Sequence, residues 1–130
     1  MKQLFLVDSD VFIDYLKGFD LACDLIETQI DRICLSVITI AEIRAGIKGQ
    51  EEEQALDQFL SAILIYDVTR TVAEMGGAWV RQFGRSHAVE IPDALIVATA
   101  TAHNLELKTL NIKHYPMFKN LRPAYQKKKL

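Results

Sequence analysis

Cysteine is scarce in this sequence, with two residues in a chain of 130. Cys23 falls in an apolar-periodic stretch and Cys34 in an apolar run. Both therefore read as small core residues rather than halves of a disulfide framework, and a reducing compartment is expected. Long apolar runs are missing too: nothing approaches the roughly 18 consecutive apolar residues of a membrane-spanning helix. Asp8 and Asp10 interrupt the first apolar run before a secretory h-region is complete, so a soluble, cytoplasmic protein is expected. Charge of one sign is not in excess. Fifteen Lys and Arg against 17 Asp and Glu give a formal net charge of -2, which excludes gripping a polyanion over the whole surface and leaves only local phosphate contacts. The one basic run, Lys127, Lys128 and Lys129, is terminal, where such runs are usually solvated. Repeats, linkers and low-complexity segments are absent. His87, His103 and His114 are scattered and share no zinc-type spacing with the cysteines.

What is present is a chain half of whose residues are hydrophobic, enough for residues 1–130 to form a single domain around one core without disulfides or structural metal. Leu4, Phe5, Leu6 and Val7 form an apolar run bounded by Asp-Ser-Asp, which reads as a strand buried on both faces. Ser9 or Asp10 is placed to cap the next helix, Val11, Phe12, Tyr15 and Leu16 supply its apolar face, and Gly18 ends it. After Asp20, Leu21, Ala22, Leu25, Ile26 and Ile30 recur at helical spacing, and Ile33, Cys34 and Leu35 make a second strand. Ser36 caps a third helix expected to reach about Gly49, and Glu51, Glu52 and Glu53 open a fourth with Leu56, Phe59, Leu60 and Ile63 on its face.

Residues 64–68 resume strand character, and Thr71 with Glu74 resembles a capping box ahead of Val72, Met75, Trp79, Val80 and Phe83. Gly76 and Gly77 weaken that helix by about 1 kcal/mol each. Pro92 suits the first turn of a further helix, whose Ala94, Leu95, Ile96, Val97, Ala98, Ala100 and Ala102 cover most of its circumference and mark it as buried. Residues 105–109 give a fourth strand. Strands alternating with helices predict a three-layer α/β/α sandwich with a mostly parallel central sheet, since parallel neighbours require crossover connections. Open sheets of this kind collect ligands outside the carboxyl ends of their strands.

Three acids stand out in that frame. Asp8 directly follows the first strand, where it can serve as a ligand or simply as a cap. Glu42 lies mid-helix among Val37, Ile38, Ile40, Ala41, Ile43 and Ala45, where burying an unpaired charge is costly, so it needs a cation or an arginine. It shares a helical stripe with Thr39 and Gly46. Asp93 follows Pro92 in the first turn of the buried helix, a place the helix dipole alone would justify. The conjunction is what points to chemistry: clustered carboxylates repel unless a cation or protons neutralise them. Oxygen-only ligands select hard ions such as Mg2+ or Mn2+, which leave coordination positions for water or a phosphodiester.

The segments LFLVDSDVFIDYLKG at residues 4–18, LSVITIAEIRAG at 35–46 and IPDALIVATATAHNLELKTLN at 91–111, with their spacing, resemble PIN-domain proteins, specifically the VapC-type toxin ribonucleases of toxin-antitoxin pairs. The resemblance spans nearly the whole chain. It implies a PIN-like fold, Mg2+-dependent endonucleolytic cleavage of RNA with Mn2+ as an alternative ion, homodimerisation, and inhibition by a VapB-like antitoxin. It also implies that the metal-binding acids are Asp8, Glu42 and Asp93. Many PIN nucleases carry a fourth acid after the last core strand, where this sequence has Asn111 and, slightly later, His114. Asn111 offers only a neutral carbonyl oxygen, which weakens a second metal site or makes it depend on substrate. Ser9 and Thr109 lie in the same segments, either supporting the site or acting as caps and turns.

Two rival readings use the same residues. LFLVDSDVF also fits the strand-Asp-x-Asp start of a haloacid-dehalogenase-type phosphatase, with Asp8 as nucleophile and Asp10 as acid. That family requires a lysine and a later acidic pair after a strand, whereas Asp93 opens a helix and Glu42 would be left without a role. A non-catalytic RNA-binding module is the other, suggested by Asn111 and the mildly acidic balance. Arg44, Arg81, Arg85, Lys108 and Lys113 are the candidate phosphate contacts in either case.

Overall fold

Four short strands, β1 (Phe5–Val7), β2 (Ile33–Ser36), β3 (Leu64–Tyr66) and β4 (Glu106–Lys108), form one parallel sheet in the order β3-β2-β1-β4. The computed structural model describes residues 2–127; Lys128 and Lys129 of the basic run lie outside them. Phe5 is paired with Ile33 on one side and Glu106 on the other, and Leu6 with Cys34 and Leu107. Alternation along these strands sends neighbouring side chains to opposite faces. Phe5, Val7, Ile33 and Leu35 enter one core, while Leu6, Cys34 and Leu107 enter the other.

The helices are α1 (Ser9–Leu16), α2 (Asp20–Thr28), α3 (Val37–Gly46), α4 (Gln50–Leu60), α5 (Arg70–His87) and α6 (Ile91–Ala102). From β1 the chain steps outward through β2 to β3, then crosses back to place β4 on the far side of β1. Right-handed crossovers running in opposite directions lay their helices on opposite faces. Accordingly Val11, Phe12, Ile26, Ile43, Leu56 and Phe59 from α1 to α4 fill the first core, and Ile96, Val97 and Ala100 of α6 fill the second, backed by Trp79 of α5. This is the expected three-layer sandwich, and its sheet is parallel throughout. None of the described helices is long and apolar enough to cross a membrane. Both cysteines are free thiols, Cys34 buried and Cys23 only partly so.

Local signals misplace some boundaries. Asp8, not Ser9 or Asp10, caps α1, its side chain accepting from the Ser9 N–H. Thr69 caps α5 by accepting from Val72, and Glu74 pairs with Arg70 instead of closing a box with Thr71. The third helix stops at Gly46, and the strands over residues 64–68 and 105–109 keep only three residues each. At the two helix starts neighbouring cap-forming residues compete, Asp8, Ser9 and Asp10 at one and Thr69 and Thr71 at the other, and tertiary contacts decide among them.

The two glycines of α5 have opposite roles. A Cβ on Gly76 would stand 3.0 Å from the Leu95 side chain and 3.4 Å from the Ala94 backbone, because α5 packs closely on α6 there; at Gly77 a Cβ meets nothing within 4 Å. Gly77→Ala should therefore raise the urea-unfolding free energy by up to about 1 kcal/mol. Gly76→Leu should lower it by about 1–3 kcal/mol through overpacking. Equal effects at the two positions would contradict this packing.

Candidate active site

Asp8 stands immediately beyond β1, where the strand order reverses between β1 and β4, the crevice in which open α/β sheets hold ligands. Its N–H continues the ladder by donating to the Lys108 carbonyl at 2.9 Å. The residue is 5% exposed. Three donors hold the carboxylate: the Ser9 N–H at Oδ1 (2.8 Å), and the hydroxyls of Thr109 (2.8 Å) and Tyr115 (2.6 Å), both at Oδ2. Asp8 is thus at once the cap of α1 and the innermost acid of the crevice.

Asp10, on the first turn of α1, faces the same segment. Its Oδ1 accepts from Val11 N–H (2.7 Å) and its Oδ2 from Leu110 N–H (3.0 Å), with the Thr109 hydroxyl at 3.3 Å. A hydroxyl has one proton to give, and the shorter approach assigns it to Asp8. Thr109 Oγ1 accepts in turn from the Asn111 N–H at 3.1 Å. Burial, and secondarily the charge of Asp8, push the Asp10 carboxyl up to about 6 despite these hydrogen bonds.

Glu42 reaches the crevice from α3, which Ser36 starts by accepting from the Ile38 N–H. Its Oε1 is buried without a hydrogen-bond partner. Burial raises its pKa first, the Ser9 hydroxyl opposes this, and the charges of Asp8, Asp93 and Asp10 raise it further. Asp93 comes from the first turn of α6 and is likewise raised, mainly by burial and also by Asp8, against a hydrogen bond from the Glu90 backbone and the attraction of His114. His114 Nδ1 lies 3.5 Å from Asp93 Oδ2, and the Asn111 amide nitrogen approaches the same ring nitrogen at 3.1 Å, with the donor set by the tautomer.

Asp8, Glu42, Asp93 and Asp10 are therefore within reach of one another's charge, and Asn111 stands at the rim, linked to Thr109 and His114. Among the described residues no three His, Cys, Asp or Glu side chains close into a ready-made metal cage. The donor set nonetheless fits a hard divalent cation. The orphaned Glu42 oxygen and the mutual repulsion are what such an ion relieves, and Mg2+ takes only one or two protein carboxylates alongside water. The sequence did not single out Tyr115, which closes the site from the segment after β4, because its contact with Asp8 spans 107 positions.

Two candidate phosphate contacts are already engaged. Arg44 is held by Glu53 (2.8 Å) and Asp57 (2.6 Å), and Lys108 by Glu106 (2.7 Å). Lys127 of the basic run is paired with Asp14 at 3.0 Å. Arg81, Arg85 and Lys113 are exposed. The Asp-x-Asp phosphatase reading is not favoured, since Asp10, its acid, turns its two oxygens to the Val11 and Leu110 N–H groups.

Comparison with known proteins agrees with this geometry. The PIN domain family matches residues 5–115, and the chain belongs to that family. Ribonuclease VapC10 of Mycobacterium tuberculosis is 35% identical over 125 residues, 94% of this chain and 93% of that protein. Ribonuclease VapC19 of the same organism is 35% identical over 124 residues, 92% of this chain and 98% of its own length. Among solved structures, a chain of a toxin-antitoxin complex from Klebsiella pneumoniae superposes with a TM-score of 0.79 at 30% identity, covering 93% of this chain and 98% of that one. Ribonucleases of this family are in general dependent on a divalent metal.

The raised acids have a consequence for stability without metal. Asp10 binds its proton more tightly folded than unfolded, so the stability it contributes is complete below the ordinary carboxylate range and is lost as pH rises through about 6. The loss amounts to about 2–3 kcal/mol at most. In EDTA, Asp10→Asn should gain stability relative to the parent as pH goes from about 4 to 7. A difference between the two proteins that is flat or opposite in sign would contradict the assignment.

Proposed function

We propose that this chain is, as a single domain, a Mg2+-dependent endoribonuclease that hydrolyses RNA phosphodiester bonds, and that it is the toxin of a VapBC-type toxin-antitoxin pair. The observation that carries the reading is the buried, unpartnered Oε1 of Glu42 facing the charges of Asp8 and Asp93. A site built to be neutral would have paired that atom. The names of the similar proteins, ribonucleases VapC10 and VapC19, and the toxin-antitoxin complex from Klebsiella pneumoniae support the same activity and an antitoxin partner. Homodimerisation rests on the family resemblance.

In this reading Asp8, Glu42 and Asp93 hold the metal, whose hard oxygen donors suit Mg2+ or Mn2+, and Mg2+ is taken from the family resemblance. When bound, the cation supplies positive charge that stabilises the phosphoryl oxygens as the bond breaks and acidifies the attacking water. The chain's own residues do the rest. Thr109 and Tyr115 hold the Asp8 carboxylate in place by donating to it. Asn111 and His114 stand at the rim, where a neutral amide and an imidazole can approach the substrate phosphate without adding negative charge. A second cation is held weakly at a rim that offers Asn111 in place of an acid.

Incubating purified protein with total cellular RNA should give discrete fragments with Mg2+ and intact RNA with EDTA. Asp8→Asn and Glu42→Gln should each lower cleavage by roughly 100-fold or more, the scale seen when transition-state charge stabilisation is removed. Mg2+-independent binding of RNA without cleavage would replace this reading with the non-catalytic one.

A further inference from the structure

We propose that Tyr115 and Thr109 are positioning residues that fix Asp8 so that it presents a single oxygen, Oδ1, to a divalent cation; this rests on the nuclease reading above. A carboxylate offers about four lone-pair sites, two on each oxygen. Oδ2 of Asp8 is filled by the Tyr115 hydroxyl at 2.6 Å and the Thr109 hydroxyl at 2.8 Å, and Oδ1 receives only the Ser9 N–H at 2.8 Å. One lone pair, on Oδ1, is left. Bidentate coordination by Asp8 would require breaking the hydrogen bond to at least one of two hydroxyls that are themselves buried, Thr109 at 0% and Tyr115 at 1% exposure.

Neither hydroxyl has freedom to leave. The Tyr115 ring is packed among Leu6, Ile96, Val97 and Leu107. The Tyr115 N–H is tied to the Ile112 carbonyl at 3.1 Å. Thr109 is pinned through its own carbonyl, which accepts from the Ala124 N–H at 2.8 Å. The Tyr115 phenol and the Thr109 hydroxyl each carry one O–H, and both point it at Asp8 Oδ2. Donors of this kind behind a metal ligand typically change metal affinity or activity by roughly 10–100-fold when removed.

The test is Mn2+ affinity of the full-length protein by calorimetry and by electron paramagnetic resonance, alongside thermal melting and RNA cleavage. Tyr115→Phe keeps the packed ring and Thr109→Val keeps the side-chain shape, each deleting one donor. Both should weaken Mn2+ binding by about 10-fold or more and lower kcat with little change in KM. Thr109→Ser, which retains the hydroxyl, should bind Mn2+ as the parent does, a rescue that loss of packing alone would not give. Should Tyr115→Phe melt early, Thr109→Val against Thr109→Ser decides the matter. Mn2+ affinity within about twofold of the parent for the folded hydroxyl-deleted variants overturns the positioning role and leaves the nuclease reading intact. Absence of Mn2+ binding to the parent overturns both.

Discussion

Everything around the crevice is arranged about one buried carboxylate that cannot be left alone. Asp8 is fixed to the sheet by its backbone, so it cannot retreat to solvent, and at 5% exposure water does little to screen it. A buried charge survives only if hydrogen bonds or an opposite charge offset its lost hydration. Here three donors do part of that work, and they come from three places in the chain: Ser9 beside it, Thr109 after β4, and Tyr115 beyond. Asp10, Glu42 and Asp93 then add negative charge instead of relieving it, which is the opposite of what stability alone would select.

The rest of the C-terminal segment is held by the same helix that Asp8 caps. Asp10 and Asp14 lie one turn apart on α1. Asp10 takes the Leu110 N–H, and Asp14, 8% exposed, takes the Tyr125 hydroxyl at 2.7 Å and Lys127 at 3.0 Å. Ala124 closes the loop by donating to the Thr109 carbonyl. Thr109 is therefore clamped from both sides, its side chain toward Asp8 and its carbonyl toward the tail. A residue that orients a ligand needs its own rotamer fixed, and this double attachment provides it.

How much of this could be read from the sequence follows the range of the interactions. The strand at Leu6, the helix carrying Ile96 and Val97 and the parallel order were legible because hydrophobic period and crossover length are local properties. Asp8 and Asp93 were legible as residues at element ends, and Glu42 as a charge in an apolar helix, since each is anomalous against its immediate neighbours. The cap of α1 was not, because Asp8, Ser9 and Asp10 are all good caps and only the tertiary placement of Thr109 and Leu110 separates them. Tyr115 and the Asp14 clasp were invisible for a stronger reason: their partners lie more than 100 positions away, in a segment with no periodicity.

The departure from the family's four-acid pattern has an electrostatic meaning in this frame. A fourth carboxylate at position 111 would have joined Asp8 in raising the pKa values of Asp10, Glu42 and Asp93 further. Asn111 avoids that addition, and His114 beside Asp93 acts in the opposite direction, favouring the ionised carboxylate. The inner part of the crevice is thus the more negative and the rim the more neutral. A cation meets its strongest attraction at the inner acids and an anion its least repulsion at the rim, so Asn111 in place of an acid separates where charge of each sign can settle.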